Sequence, residues 1–90
     1  RARAIEIHGL NCQVCGFNFA DFYGERGDLF IEVHHTKPIS SFVTEKVVKP
    51  ETDMAVGCSN CHRMIHRKVN KILSISELKQ IVRTNLKKGD

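Results

Sequence analysis

Tryptophan is absent from this 90-residue sequence, proline occurs twice and tyrosine once. No run of apolar residues approaches the roughly 20 that a membrane-crossing helix needs, and no signal-peptide pattern opens the chain. These absences exclude a membrane span, and the sequence reads as soluble and cytoplasmic. Length excludes as much. Ninety residues, 41% hydrophobic and 27% charged, describe one small domain near the lower limit for a self-sufficient core, too small for an enzyme with a separate substrate domain. A chain of this size usually needs a staple: disulfides, a metal or a partner. The sequence opens on Arg1 rather than methionine, so it reads as a fragment of a longer chain with other domains as partners.

What the chain does have is four cysteines and five histidines. The cysteines fall as Cys12-x-x-Cys15 and Cys58-x-x-Cys61, two knuckles of identical spacing separated by 42 residues. Two disulfides are formally available, but paired knuckles are the usual way to build a tetrahedral four-cysteine zinc site, each turn presenting two thiolates. A structural zinc ion is therefore the expected staple. The 42-residue gap exceeds that of a simple zinc ribbon, so it must hold structure of its own.

Residues 1 to 8 are compatible with a helix that Gly9 and Asn11 can stop. Residues 16 to 23 supply aromatic bulk for a small core, with one short helix, and residues 24 to 28 read as a turn. The five phenylalanines are read as core rather than as a base-stacking platform. Leu29 to His34 alternate with the period of a strand, placing Leu29, Ile31 and Val33 on one face. Pro38 ends any ladder pairing beyond it. Residues 40 to 52 read as a polar loop containing Pro50, and Met54, Ala55 and Val56 as the returning strand. A helix is predicted from Ser59 through Arg67. Ser74 and Glu77 have capping-box spacing, and Leu78, Ile81, Val82 and Leu86 mark an amphipathic last helix over about 76–87.

Four histidines form two groups, while His8 reads as structural or solvated. His62 and His66 are four apart on a predicted helix, so they share a face and can grip one metal ion. His34 and His35 are adjacent at a strand end, so their side chains leave in opposite directions. One can join the metal while the other stands free as a general base. Spacing does not decide which.

Glu32-Val33-His34-His35-Thr36-Lys37-Pro38, followed by Asp53-Met54-Ala55-Val56-Gly57-Cys58-Ser59-Asn60-Cys61-His62-Arg63-Met64-Ile65-His66, resembles the HNH endonucleases. The likeness is strongest to the zinc-knuckle HNH domains of bacterial and phage restriction enzymes, including those directed at modified DNA. It runs from Cys12 to about Arg67 and takes in Tyr23, Gly24 and Gly27. The resemblance implies an α+β fold of the ββα-metal type, with a structural zinc on the four cysteines and flanking helices. It implies that His34, His62 and His66 hold one catalytic divalent ion and that His35 is the general base. Asp53 stands at the middle position of the signature, usually asparagine, whose role is to orient the base. Glu32 matches an acidic position before the histidines and would fix a neighbouring basic side chain or ligand. Three imidazoles suit Zn2+, Ni2+, Mn2+ or Co2+, and water and phosphate oxygens also admit Mg2+. The implied reaction is hydrolysis of DNA phosphodiesters, with 5′-phosphate and 3′-hydroxyl products.

The charge distribution agrees with such a substrate. Residues 63 to 90 carry a net +6 and residues 1 to 62 a net −2, so the positive field belongs to the C-terminal third. Arg63, Arg67, Lys68 and Lys71 follow the metal ligands and are expected to contact phosphates, which give affinity without sequence information. With one site per chain, a homodimer or two successive nicks would both serve to cut two strands. A non-catalytic zinc module that binds nucleic acid is the alternative, and it leaves His34, His35, His62 and His66 without a reason. A zinc deaminase would require H-x-E followed by P-C-x-x-C, and neither is present. An HNH fold with decayed catalysis, Asp53 being the lesion, ranks below both.

Overall fold

The computed structural model describes residues 1–36 and 49–88. At its centre two short strands, β1 (Glu32–His35) and β2 (Met54–Gly57), pair antiparallel, with Glu32 opposite Gly57 and His35 opposite Met54. Helix α1 (Ala2–His8) packs on β2, closing a core in which Ala4, Ile31 and Val56 are fully buried. A buried aliphatic side chain of this kind contributes about 1.5–3 kcal/mol relative to leaving it in water. The short α2 (Phe19–Tyr23) and a 3-10 turn over Gly24–Gly27 lead into β1. The single-turn α3 (Pro50–Asp53) leads into β2, followed by α4 (Ser59–Ile65) and α5 (Ile75–Lys88). This α+β arrangement of two strands and a following helix is the one the sequence predicts.

The first knuckle is fastened to the sheet by Gln13. Its backbone N–H donates to the Val56 carbonyl at 3.0 Å, and its side-chain oxygen accepts from the Val56 N–H at 2.7 Å. Those groups of β2 are not used by β1, so a knuckle residue occupies the outer edge of the strand. A second core then forms around Cys12, Cys58 and Cys61 with Val14, Ile65 and Leu78, and Phe19 packs against both cores. The capping box forms as expected: Ser74 N–H donates to the Glu77 carboxylate at 2.8 Å, and Glu77 N–H donates to Ser74 Oγ at 3.0 Å.

Four details differ from the sequence reading. Strand β1 begins at Glu32, not Leu29. Leu29 has φ +61° and is 66% exposed, because the turn anchored at Gly27 runs on through it. Gly27 packs so tightly that an added Cβ would collide with the Phe19 carbonyl. Residues 50–53 are helical rather than loop, with Pro50 in the first turn, where its missing N–H costs nothing. Residues 40–48 of the predicted loop, and Pro38, lie outside the described residues. The aromatic cluster is only partly core: Phe17 and Phe19 pack inward, whereas Phe22, Tyr23 and Phe30 are exposed. A helix of five residues has one inward face, and Phe19 takes it. Helix α4 ends at Ile65, with His66 as its C-cap rather than an interior residue.

Candidate metal centres and catalytic cleft

Among the described residues, two clusters could hold a metal ion: Cys12, Cys15, Cys58 and Cys61, and His34, His62 and His66. Within each cluster the potential ligand atoms all lie within 4.8 Å of one another.

The thiol cluster is built by two tight turns. Val14 and Cys15 point their N–H groups at Cys12 Sγ, at 3.4 and 3.5 Å, and Cys61 points its N–H at Cys58 Sγ at 3.4 Å. All four thiols are free, and Cys15 Sγ lies 3.7 Å from Cys58 Sγ. A disulfide needs about 2.05 Å, whereas Zn–S bonds of about 2.3 Å in a tetrahedron put sulfurs roughly 3.8 Å apart. Burial alone pushes the Cys12 thiol up, yet the surrounding backbone N–H groups of Cys15, Cys58 and Val14 more than offset this and bring it to about 7. Cys15 and Cys61 move the other way, chiefly through burial and then through the neighbouring thiols. Four thiolates cannot share this volume without a cation among them, so the donor set suits zinc.

The histidine cluster draws on both sides of the sheet–helix junction. His34 comes from β1 and is 7% exposed; His62 and His66 come from successive turns at the end of α4. His34 Nδ1 and His66 Nε2 approach to 3.2 Å. Burial first, then the charges that His66, His62 and His35 would carry, push the His34 pKa down to about 4. It is therefore neutral at pH 7, with a lone pair available. His62 turns Nδ1 toward Glu32 Oε1 at 2.8 Å, which leaves the Nε2 lone pair for a metal.

Strand alternation separates the adjacent histidines as expected. His34 is buried against α4, while His35 is exposed. Both border one cleft of about 500 Å³, together with Thr36, His66 and the start of α5 at Ser74 to Glu77. The thiol cluster, buried but for Cys15, thus lies toward the start of α4 and the more exposed imidazole cluster toward its end.

Asp53 meets the segment after β1 through its backbone. Its carbonyl accepts from the N–H of Thr36, the residue after His35, at 2.8 Å. Its carboxylate accepts from Lys49 N–H at 3.0 Å and from the Thr52 hydroxyl at 3.3 Å, closing α3. Glu32 lies with Oε1 2.8 Å from His62 Nδ1, and its second oxygen accepts from Ser59 Oγ at 2.7 Å. The Ser59 hydrogen bond, then that of His62, keeps the Glu32 carboxyl below its usual range. Sequence reasoning passed over Ser59 and Gln13, because no spacing rule marks a serine or glutamine inside a knuckle. Of the four basic residues, Arg63 is exposed on α4 beside His62. Arg67, Lys68 and Lys71 instead rim a separate apolar groove between α4 and α5, walled by Met64, Leu78, Ile81 and Leu86.

No helix among the described residues is long and apolar enough to cross a membrane. No solved structure matches the chain. It is 42% identical over 60 residues to the type IV methyl-directed restriction enzyme EcoKMcrA of Escherichia coli K12, an alignment covering 66% of this chain and 20% of that protein. The chain therefore spans about a fifth of that relative's length. The HNH endonuclease family profile matches residues 12–68, both knuckles and all four clustered histidines included, and the chain belongs to that family.

Proposed function

We propose that this domain hydrolyses DNA phosphodiester bonds in a metal-dependent reaction, as the catalytic domain of a restriction-type endonuclease in a bacterial or phage-infected cytoplasm. One observation carries the proposal: three imidazoles converge beside a cleft that two of them, His34 and His66, line together with a fourth, exposed one, His35. His34, His62 and His66 would hold one divalent ion, Mg2+, Mn2+, Ni2+, Co2+ or Zn2+. When bound, that ion supplies Lewis-acid stabilisation of the charge developing on the phosphate and the leaving 3′ oxygen. His35, free of the cluster, would accept the proton of the attacking water as general base. Asp53 would hold the segment after His35 through the Thr36 contact. Arg63 would contact a flanking phosphate most directly, and Arg67, Lys68 and Lys71, on the neighbouring groove, would add weaker phosphate contacts. Zinc on the four cysteines would supply the fold. The relative is described as methyl-directed, which supports a modification-dependent parent enzyme whose target choice lies in other domains.

The test is plasmid nicking with a panel of divalent ions, run on the wild type and His35→Ala. The expected result is ion-dependent nicking that falls at least about 100-fold in the variant, with the circular dichroism spectrum unchanged. Full cleavage by His35→Ala would remove it from the mechanism. Zinc-loaded protein that cleaves under no ion would favour a non-catalytic module.

A further inference from the structure

The two metal clusters are joined by a chain of side chains that crosses from one knuckle to the other site. Ser59 directly follows the thiol ligand Cys58 and opens α4, where Cys58 Sγ caps the helix by accepting the Cys61 N–H. Ser59 Oγ meets Glu32 Oε2 at 2.7 Å, and Glu32 Oε1 meets His62 Nδ1 at 2.8 Å. Glu32 lies on β1, two residues before His34 and on the same face. The carboxylate therefore spans the gap between the strand that supplies one imidazole and the helix that supplies the other two.

We infer that Ser59 is a positioning residue: by holding Glu32, it fixes the ring of His62 and so transmits the order of the four-cysteine site to the three-histidine site. An ionised carboxylate is acceptor-only, so Ser59 must donate to one oxygen and His62 Nδ1–H to the other. Neutral histidine in water favours the proton on Nε2. Here Nδ1 carries it, and the Nε2 lone pair is left to face His34 and His66. Without the serine hydroxyl, one carboxylate oxygen loses its partner, and Glu32 is free to rotate away from the imidazole. Carboxylate partners of ligating histidines set ring orientation and basicity, and their loss typically costs 10- to 100-fold in metal affinity. Ser59 acts one bond further out, so a smaller loss, about 3- to 10-fold, is expected.

The inference rests on the reading of His34, His62 and His66 as a metal site, and its test separates the two. In the zinc-loaded chain, nitrogen NMR of the histidine rings reports the His62 tautomer without any second ion. Calorimetric titration with Co2+ then reports the affinity of the imidazole site. Wild type should show His62 protonated at Nδ1. Ser59→Ala should shift it toward the Nε2–H form and weaken Co2+ binding 3- to 10-fold, with one zinc retained by elemental analysis. Ser59→Thr, which keeps a hydroxyl, should restore both. A His62 tautomer and Co2+ affinity identical in wild type and Ser59→Ala would overturn the inference. A wild type that takes up no Co2+ would overturn the metal reading instead, and the tautomer comparison would still decide the role of Ser59.

Discussion

The two clusters at the ends of α4 have the same ingredients, side chains that ligate metals, and opposite surroundings. Three of the four cysteines are buried, backbone N–H groups are turned onto their sulfurs, and hydrophobic side chains pack around them. Only three imidazoles meet at the other site and only His34 among them is buried, while cavities of about 430 Å³ and 500 Å³ border the thiol and imidazole ends respectively. Structural zinc sites are closed by four protein ligands, whereas catalytic sites keep a coordination position for water or substrate. Under the proposed function the difference gives the two ends different tasks: the thiol end would hold the domain together and the imidazole end would meet the substrate. It also predicts that damage at one end should be felt as stability and damage at the other as activity.

The sharpest way to break that comparison is to remove one ligand from each end. Cys58→Ser should abolish cooperative unfolding and reduce bound zinc to near zero, because zinc binding in such a domain is folding free energy, on the order of 10 kcal/mol. His66→Ala should leave the thermal midpoint within a few degrees, since His66 is exposed, while nicking falls at least about 100-fold. A chelator sorts the sites in the same order: brief treatment should stop nicking while the circular dichroism spectrum persists, and only prolonged treatment should unfold the chain. Unfolding that keeps pace with loss of activity would mean that the ends are not separable.

The thiol end was almost entirely legible in the sequence, because C-x-x-C is a local turn and two copies of it specify a site wherever the chain brings them together. The imidazole end was legible only in part. His62 and His66 follow from helical spacing, and the split between His34 and His35 follows from strand alternation. The side from which His34 joins them depends on the β1–β2 register, which adjacent histidines do not encode. The Gln13 link to Val56 and the Ser59–Glu32–His62 chain are tertiary meetings of residues 27 to 43 positions apart, invisible to any periodicity. Leu29 misled because alternation continued through it, whereas the tight packing of Gly27 on the Phe19 carbonyl held that residue in a turn.

Acid should distinguish the ends more gently. His34 has a pKa of about 4 in the folded chain, below the ordinary histidine value of about 6.5. As pH falls from 6.5 toward 4, the unfolded chain takes up this proton and the folded chain does not, so stability present above pH 6.5 is progressively lost. Acid also protonates the thiolates, so the informative measurement is a difference. The thermal midpoint of the wild type should fall more steeply from pH 6.5 to pH 4 than that of His34→Asn, which has no proton to gain. Parallel curves would show that His34 is not held neutral by its burial.

The smallest effects belong to the basic residues, and they test how far the substrate-facing end extends. Arg63 stands beside His62, close enough for its charge to favour the ionised form of Glu32. Lys68 and Lys71 lie on the groove between α4 and α5, and Lys71 is already 3.5 Å from the Glu77 carboxylate. A lysine or arginine on a DNA phosphate displaces about one counterion, so its removal should weaken binding a few-fold at moderate salt and lower the salt-dependence slope by about one. Arg63→Ala should therefore show the full reduction in slope, Lys68→Ala less, and Lys71→Ala least, because its charge is partly neutralised before DNA arrives. Measured as duplex affinity against salt concentration, that ranking would confine the DNA track to the histidine cleft. Equal reductions for all three would instead carry the track over α4 into the second groove, and the substrate-facing end would then include most of the basic C-terminal third.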